Sequence, residues 1–207
     1  MRRMNRTMRS LGIAATVLAL SLGIGSCSSS GTGGSQASHR SQKMTPDQAR
    51  QKLKAVLDDS MSDIGPPLRY WDDWPWISGQ DGSYAAASQD RYIMTKVSKT
   101  KIDALLGLLD RSWKAKGYNI TSFHPAQSEI FADTPDAMGI GVTVGAADNI
   151  TFEAVVSPLP NLSTYDAFGT PPSPAPTMAN GNPDIIPKYD DPFWSSDQPA
   201  PTPSSGS

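Results

Sequence analysis

Three of the chain's five tryptophans fall in one seven-residue string, Tyr70-Trp71-Asp72-Asp73-Trp74-Pro75-Trp76. Aromatic faces beside carboxylates hold sugars, the ring stacking while the carboxylate accepts hydroxyl hydrogen bonds, and aromatic anchors equally suit a protein partner. Trp71, Asp72, Trp74 and Trp76 are thus the candidate contact surface. The plain alternative is that these indoles plug the core or an edge around a strand broken by Pro75. A glycosidase pair is not expected from Asp72 and Asp73, because neighbours in a strand point to opposite faces.

Other chemistry is thin. His124 precedes Pro125 in a predicted turn, and no Gly-x-Ser-x-Gly elbow supplies a nucleophile for it. One Cys excludes an internal disulfide, and Cys27, His39 and His124 lack metal-ligand spacing, so neither metal nor cofactor is expected. Gly139-Ile140-Gly141-Val142-Thr143-Val144-Gly145 misses the Gly-x-Gly-x-x-Gly spacing by one residue and reads as a strand. Its two glycines on one face leave a shallow strip for a backbone or an aromatic ring. Asn119, Asn149 and Asn161 head glycosylation-type triplets, here read as turns that open strands.

The elements that must position these residues lie between 44 and 160. Thr45, Pro46 and Gln48 form a capping box with Pro in the first turn, and Ala49, Leu53, Val56, Leu57, Met61 and Ile64 make one helical stripe that ends at Gly65-Pro66-Pro67. A second helix is expected over 98–116, with Ile102, Leu105, Leu106, Leu109 and Trp113 on one face and Gly117 as its stop. Residues 90–97, 119–124, 128–132, 138–144 and 150–156 read as strands. The last two form a hairpin in which Val144 faces Ile150, Val142 faces Phe152, Ile140 faces Ala154 and Met138 faces Val156. The expected fold is α+β, a small antiparallel sheet with two helices packed on one face, flanked by disordered arms.

The amino terminus reads as an address. Residues 1–10 are basic and 11–24 almost wholly apolar, and 14 residues at about 1.5 Å each fall short of a bilayer core of about 30 Å. The tetrad Ile24-Gly25-Ser26-Cys27 that follows resembles the lipobox of bacterial lipoproteins. The resemblance implies cleavage between Ser26 and Cys27, a diacylglyceryl thioether on Cys27, and a membrane partner reached through that anchor. An ordinary secretory signal, or an uncleaved one, is the alternative. Arg2-Arg3 suggests twin-arginine export, but Met4-Asn5-Arg6 follows where apolar residues belong, so general secretion is preferred. Behind the Cys, 28–38 is charge-free, and the Gly/Ser-rich stretch 28–43 would span roughly 20–24 Å as a coil.

The expected organisation is a signal peptide (1–26), a lipidated tether (27–43), an α+β domain (44–160) and a Pro/Ser-rich disordered tail (161–207) with ten of the 18 prolines. Within that tail Tyr189, Phe193 and Trp194 are candidates for docking back on the domain or for meeting an envelope protein. Without the leader's four arginines the chain keeps 14 basic against 20 acidic residues, which disfavours nucleic acid. The leading expectation is a non-enzymatic binding or assembly module at the outer face of the cytoplasmic membrane of a Gram-positive, actinobacterial-type cell, with an envelope protein or glycan as partner. Its rival is an envelope hydrolase or transferase. A two-lobed solute receptor needs far more chain than 44–160.

Overall fold

A computed structural model describes residues 44–81, 84–160 and 167–198. Ser26, Cys27, the leader and the tether lie outside them. The order is α1 (Pro46–Met61), β1 (Tyr70–Asp72), β2 (Trp76–Asp81), β3 (Tyr84–Ile93), α2 (Lys99–Ala115), β4 (Asn119–His124), β5 (Glu129–Asp133), β6 (Gly139–Val144) and β7 (Ile150–Pro160). Among the described residues seven strands form one antiparallel sheet, ordered β1-β3-β7-β6-β5-β4, with β2 also pairing with β3. The α+β class is as the sequence implies, both helices lying on one face. Helix α1 packs against β3, β7 and β6, and α2 against β4 and β5.

Both halves of the capping box form at α1: Gln48 N donates to Thr45 Oγ1 at 3.2 Å, and Thr45 N donates to Gln48 Oε1 at 2.9 Å. Ala49, Leu53, Val56 and Leu57 are buried as the stripe requires. The helix ends at Met61, yet Ile64 stays buried because the turn after it returns the chain to the core. In α2 the five stripe residues are all buried, and Gly117 takes φ +79°, the left-handed stop. Ser98 stands at the N-cap without capping. Its hydroxyl donates instead to Ser196 O, at 2.9 Å.

The β6–β7 register is the expected one: Val144 opposes Ile150, Val142 opposes Phe152, and Ile140 opposes Ala154. Met138 lies just outside the ladder and is buried. Strand β3 departs from expectation, starting at Tyr84 rather than Asp90 and ending at Ile93 rather than Val97. Its Ala-Ala-Ala-Ser start has little intrinsic strand preference. Pairing on both sides, to β2 and to β7, imposes the extended form. Asn119 and Ile150 begin strands as read; Asn161 lies outside the described residues.

The glycine strip is occupied from within. A Cβ on Gly141 would lie 2.6 Å from Cδ1 of Phe131, its cross-strand neighbour on β5, so this ring lies over bare backbone. Gly139 has ordinary room, its nearest Cβ contact being 3.5 Å from Val155. We expect Gly141→Ala to cost about 1–3 kcal/mol by overpacking and Gly139→Ala to stay within about 0.5 kcal/mol of zero. Urea titration of the two variants checks the contrast, and equal stabilities would contradict it.

The domain does not stop at Pro160. The disorder expected of 161–207 does not hold for 167–198, which belongs to the same compact unit as the sheet. Lys188 N and Tyr189 N both donate to Met94 O, Lys96 N donates to Tyr189 O, and Ser98 N donates to Trp194 O. Trp194 is 2 % exposed and its Nε1 donates to Pro66 O at 2.7 Å. Phe193 meets it edge-on, with ring centroids 4.8 Å apart. The arm is ordered by backbone pairing and one buried indole, neither of which needs the periodicity its sequence lacks.

A candidate ligand cleft at the sheet edge

Strands β1 and β2 share β3 as partner, and the chain between them leaves the ladder. Asp72 opposes Arg91 and Trp76 opposes Ser88, so three residues, 73–75, span the space of two. Pro75 has no N–H to give the ladder. The bulge is held by Asp73 N donating to Asp90 O at 2.8 Å and by Gln89 Nε2 donating to Asp73 O at 2.9 Å.

Each tryptophan is aimed by this geometry. Trp71 pairs with Tyr92 on the face away from the helices, and the rings stack at 5.3 Å and 13°. Trp74 lies under the Arg50 guanidinium, 5.2 Å from its ring, and its Nε1 donates to Gly169 O of the arm at 2.9 Å. Trp71, Asp72, Asp73, Trp74 and Gln89 contribute to the lining of a cleft of about 210 Å³. Pro171, Pro172, Ser173 and Ala175 of the arm complete it. Trp76 begins β2 beyond Pro75 and is not part of this lining. Tyr189, Phe193 and Trp194 belong to the arm's docking contacts, where Tyr189 lies under Arg69 at 4.6 Å.

Asp72 is not a free acceptor. Arg91 Nε and Nη2 donate to its two oxygens at 2.5 and 2.8 Å, and Nη2 also reaches Asp58 of α1 at 2.7 Å. The guanidinium lies 3.8 Å from the Tyr70 ring centroid. Burial alone would raise the Asp58 carboxyl, but hydrogen bonds from Lys54 and Arg91 hold it below its ordinary value. The other acceptors of the cleft are the Asp73 carboxylate, which takes Trp74 N at 2.7 Å, and Gln89. Gln89 is 6 % exposed, and its Oε1 has no hydrogen-bond partner among the described residues. Gln89 and Arg91 are absent from the sequence-derived candidates, yet their alternation with Ala87 and Ile93 puts both on the apolar, helix-facing side of β3.

On the opposite face Asp90 stands across from Glu153 and accepts from Tyr92 Oη at 3.0 Å. Burial, then the charges of Glu153 and Asp73, push its carboxyl up to about 7. An unfolded Asp ionises near pH 4, so between that value and 7 the unfolded chain has lost a proton that the fold retains. Stability therefore declines as pH rises through that window and levels off above it. Asp90→Asn should match the parent protein at pH 3.5 and exceed it at pH 8 by about 3 °C or more in Tm. An unchanged difference between the two pH values would refute this assignment.

A larger hollow of about 500 Å³ runs along α1 beside Met44, Gln48, Gln51, Lys52 and Ala55, where the polar side chains are already in solvent. His124 ends β4 in an exposed position. Among the described residues no group of His, Cys, Asp or Glu is placed to hold a metal ion, and no helix is long and apolar enough to cross a membrane. Comparison with protein-family models, with curated proteins and with solved structures gave no match, so function must be argued from the geometry of the cleft.

Proposed function

We propose that this protein is a membrane-tethered, non-enzymatic binding module. An acylated Cys27 anchors it at the outer face of the cytoplasmic membrane, residues 28–43 hold the domain clear of the headgroups, and the edge cleft receives an envelope ligand. The observation that carries the reading is a cleft lined by two fixed indoles and by Gln89, whose buried Oε1 has no hydrogen-bond partner among the described residues. Such a group gains when a ligand donates to it. With Asp72 locked to Arg91, the lining suits holding better than proton transfer, which favours this reading over a hydrolase or transferase.

Two measurements test it. Mass spectrometry of the mature chain should find an acylated Cys27 at its start, and any other first residue would remove the anchor. A benzophenone amino acid placed at Ser173, beside the cleft, should give a reproducible adduct on intact cells, whereas the same group at exposed Arg111 of α2 should not. Equal yields from both positions, or none from Ser173, would remove the binding role.

A further inference from the structure

We infer that the cleft lined by Trp71 and Trp74 takes a single ring of a neutral, hydroxyl-rich saccharide; this specifies the ligand class and rests on the binding reading above. Size is the first ground. At about 210 Å³ the space is smaller than the roughly 300–1,000 Å³ of sites that enclose drug-sized molecules. It admits one pyranose, with the rest of a chain running out into solvent past Pro171 and Pro172, which are exposed.

The second ground is the pairing of flat apolar walls with acceptors. A pyranose has a C–H face, weakly positive, that suits the negative face of an indole, and a rim of hydroxyls that donate. Trp71 is held by its stack on Tyr92, and Trp74 by Gly169 O and Arg50, so both platforms are set before a ligand arrives. The Gln89 amide is oriented as well, because Nε2 donates to Asp73 O and Oε1 is left over. A buried acceptor without a donor costs about 1–3 kcal/mol; Oε1 is closed to solvent in the free protein, and a sugar hydroxyl recovers that loss when the lining shifts to admit it. Asp73 supplies a second acceptor in the lining.

Charge decides the third point. The charged residues of the lining are both carboxylates, Asp72 paired with Arg91 and Asp73 without a cation of its own among the described residues, while Arg50 stands over Trp74 at the margin. A phosphate or uronate beside Asp73 meets its carboxylate. A neutral sugar brings no like charge.

The test uses the full chain in polyoxyethylene-detergent micelles, followed by tryptophan fluorescence and calorimetry. The probes are neutral trisaccharides of mannose, glucose, galactose and N-acetylglucosamine, with trigalacturonate as the anionic control. At least one neutral trisaccharide should saturate the protein at millimolar concentration or below, and trigalacturonate should not. Trp71→Ala and Gln89→Leu should each weaken that binding about tenfold, equivalent to about 1.4 kcal/mol, while Trp71→Phe keeps part of it. Melting temperatures confirm that the variants fold. Saturation by none of the neutral probes, or binding that Trp71→Ala and Gln89→Leu both leave intact, would overturn the saccharide assignment. A protein adduct at Ser173 without sugar binding would overturn this inference and leave the module standing; absence of both removes the two together.

Discussion

Arg91→Met is expected to destabilise the domain by about 3 kcal/mol, read as a shift of the urea midpoint with unchanged slope. Arg91 is 1 % exposed, on the helix-facing side of β3, where it ties β1 to α1 through Asp72 and Asp58. Breaking a buried pair costs about 3–5 kcal/mol because it strands a charge. The side chains left behind, Asp72 at 24 % and Asp58 at 46 % exposure, can still draw on water, which places the cost at the low end. Lys at this position is not an equivalent, since it cannot grip both Asp72 oxygens in one plane. Arg91→Met combined with Asp72→Leu should recover part of the loss, because the stranded carboxylate is then gone. Asp72 is also next in chain to Trp71, so the single variant should loosen the indole and shift its emission. A cost below about 1 kcal/mol would mean that the pair is idle.

What the sequence made legible was whatever repeats at short range. The stripes of α1 and α2, the capping box at Thr45 and the β6–β7 register all follow from spacings of two, three and four residues, and each is present. Strands β1 and β2 were not separable, because they are short edge segments whose extended form comes from β3 rather than from their own composition. The start of β3 was hidden for the same reason, its alanines taking the conformation their neighbours impose. The order of the arm is not legible locally, because it comes from contacts about a hundred residues away in the chain, such as Trp194 on Pro66.

The candidate site divides along the same line. The density of Trp and Asp at 70–76 falls on the segment that contributes to the cleft, but which side chains remain available depends on non-local partners. Asp72 is taken by Arg91, 19 residues away, while Gln89 is recruited to the lining by a break in the opposite strand. The lining is completed by Pro171 and Pro172, which composition alone assigned to a loose tail. One local signal was present and unused. Two polar residues, Gln89 and Arg91, interrupt an apolar alternation on a buried face, and a core that carries such groups must pair them or leave them for a ligand. Here, among the described residues, Arg91 is paired and Gln89 Oε1 is not.

Trp194→Ala should cost about 3–5 kcal/mol, the range for removing a fully buried Trp, and lower Tm by roughly 10 °C. The indole is 2 % exposed within the hydrophobic core, and its loss strands the Pro66 carbonyl as well as opening a cavity. Tyr189→Ala should cost far less, because that ring is 45 % exposed and held by a surface guanidinium. Deleting 184–207 should be at least as costly as Trp194→Ala. It removes the partners of Met94, Lys96 and Ser98, and it takes the Phe193 carbonyl from Lys101, which is 2 % exposed and donates to that oxygen at 2.9 Å. Lys101 stands in the first turn of α2, where the helix dipole opposes a cation, so the arm's carbonyl and the Phe193 ring at 4.3 Å offset a charge the helix would otherwise reject. The consequence reaches the cleft. Residues 171–175 would remain in the truncated chain, tied to the domain by Trp74 and Gly169 but no longer from beyond residue 184, so ligand affinity should fall along with stability. A truncated chain with the parent's Tm would show that this segment only rests on the surface, and undiminished ligand binding would show that the cleft's lining does not depend on it.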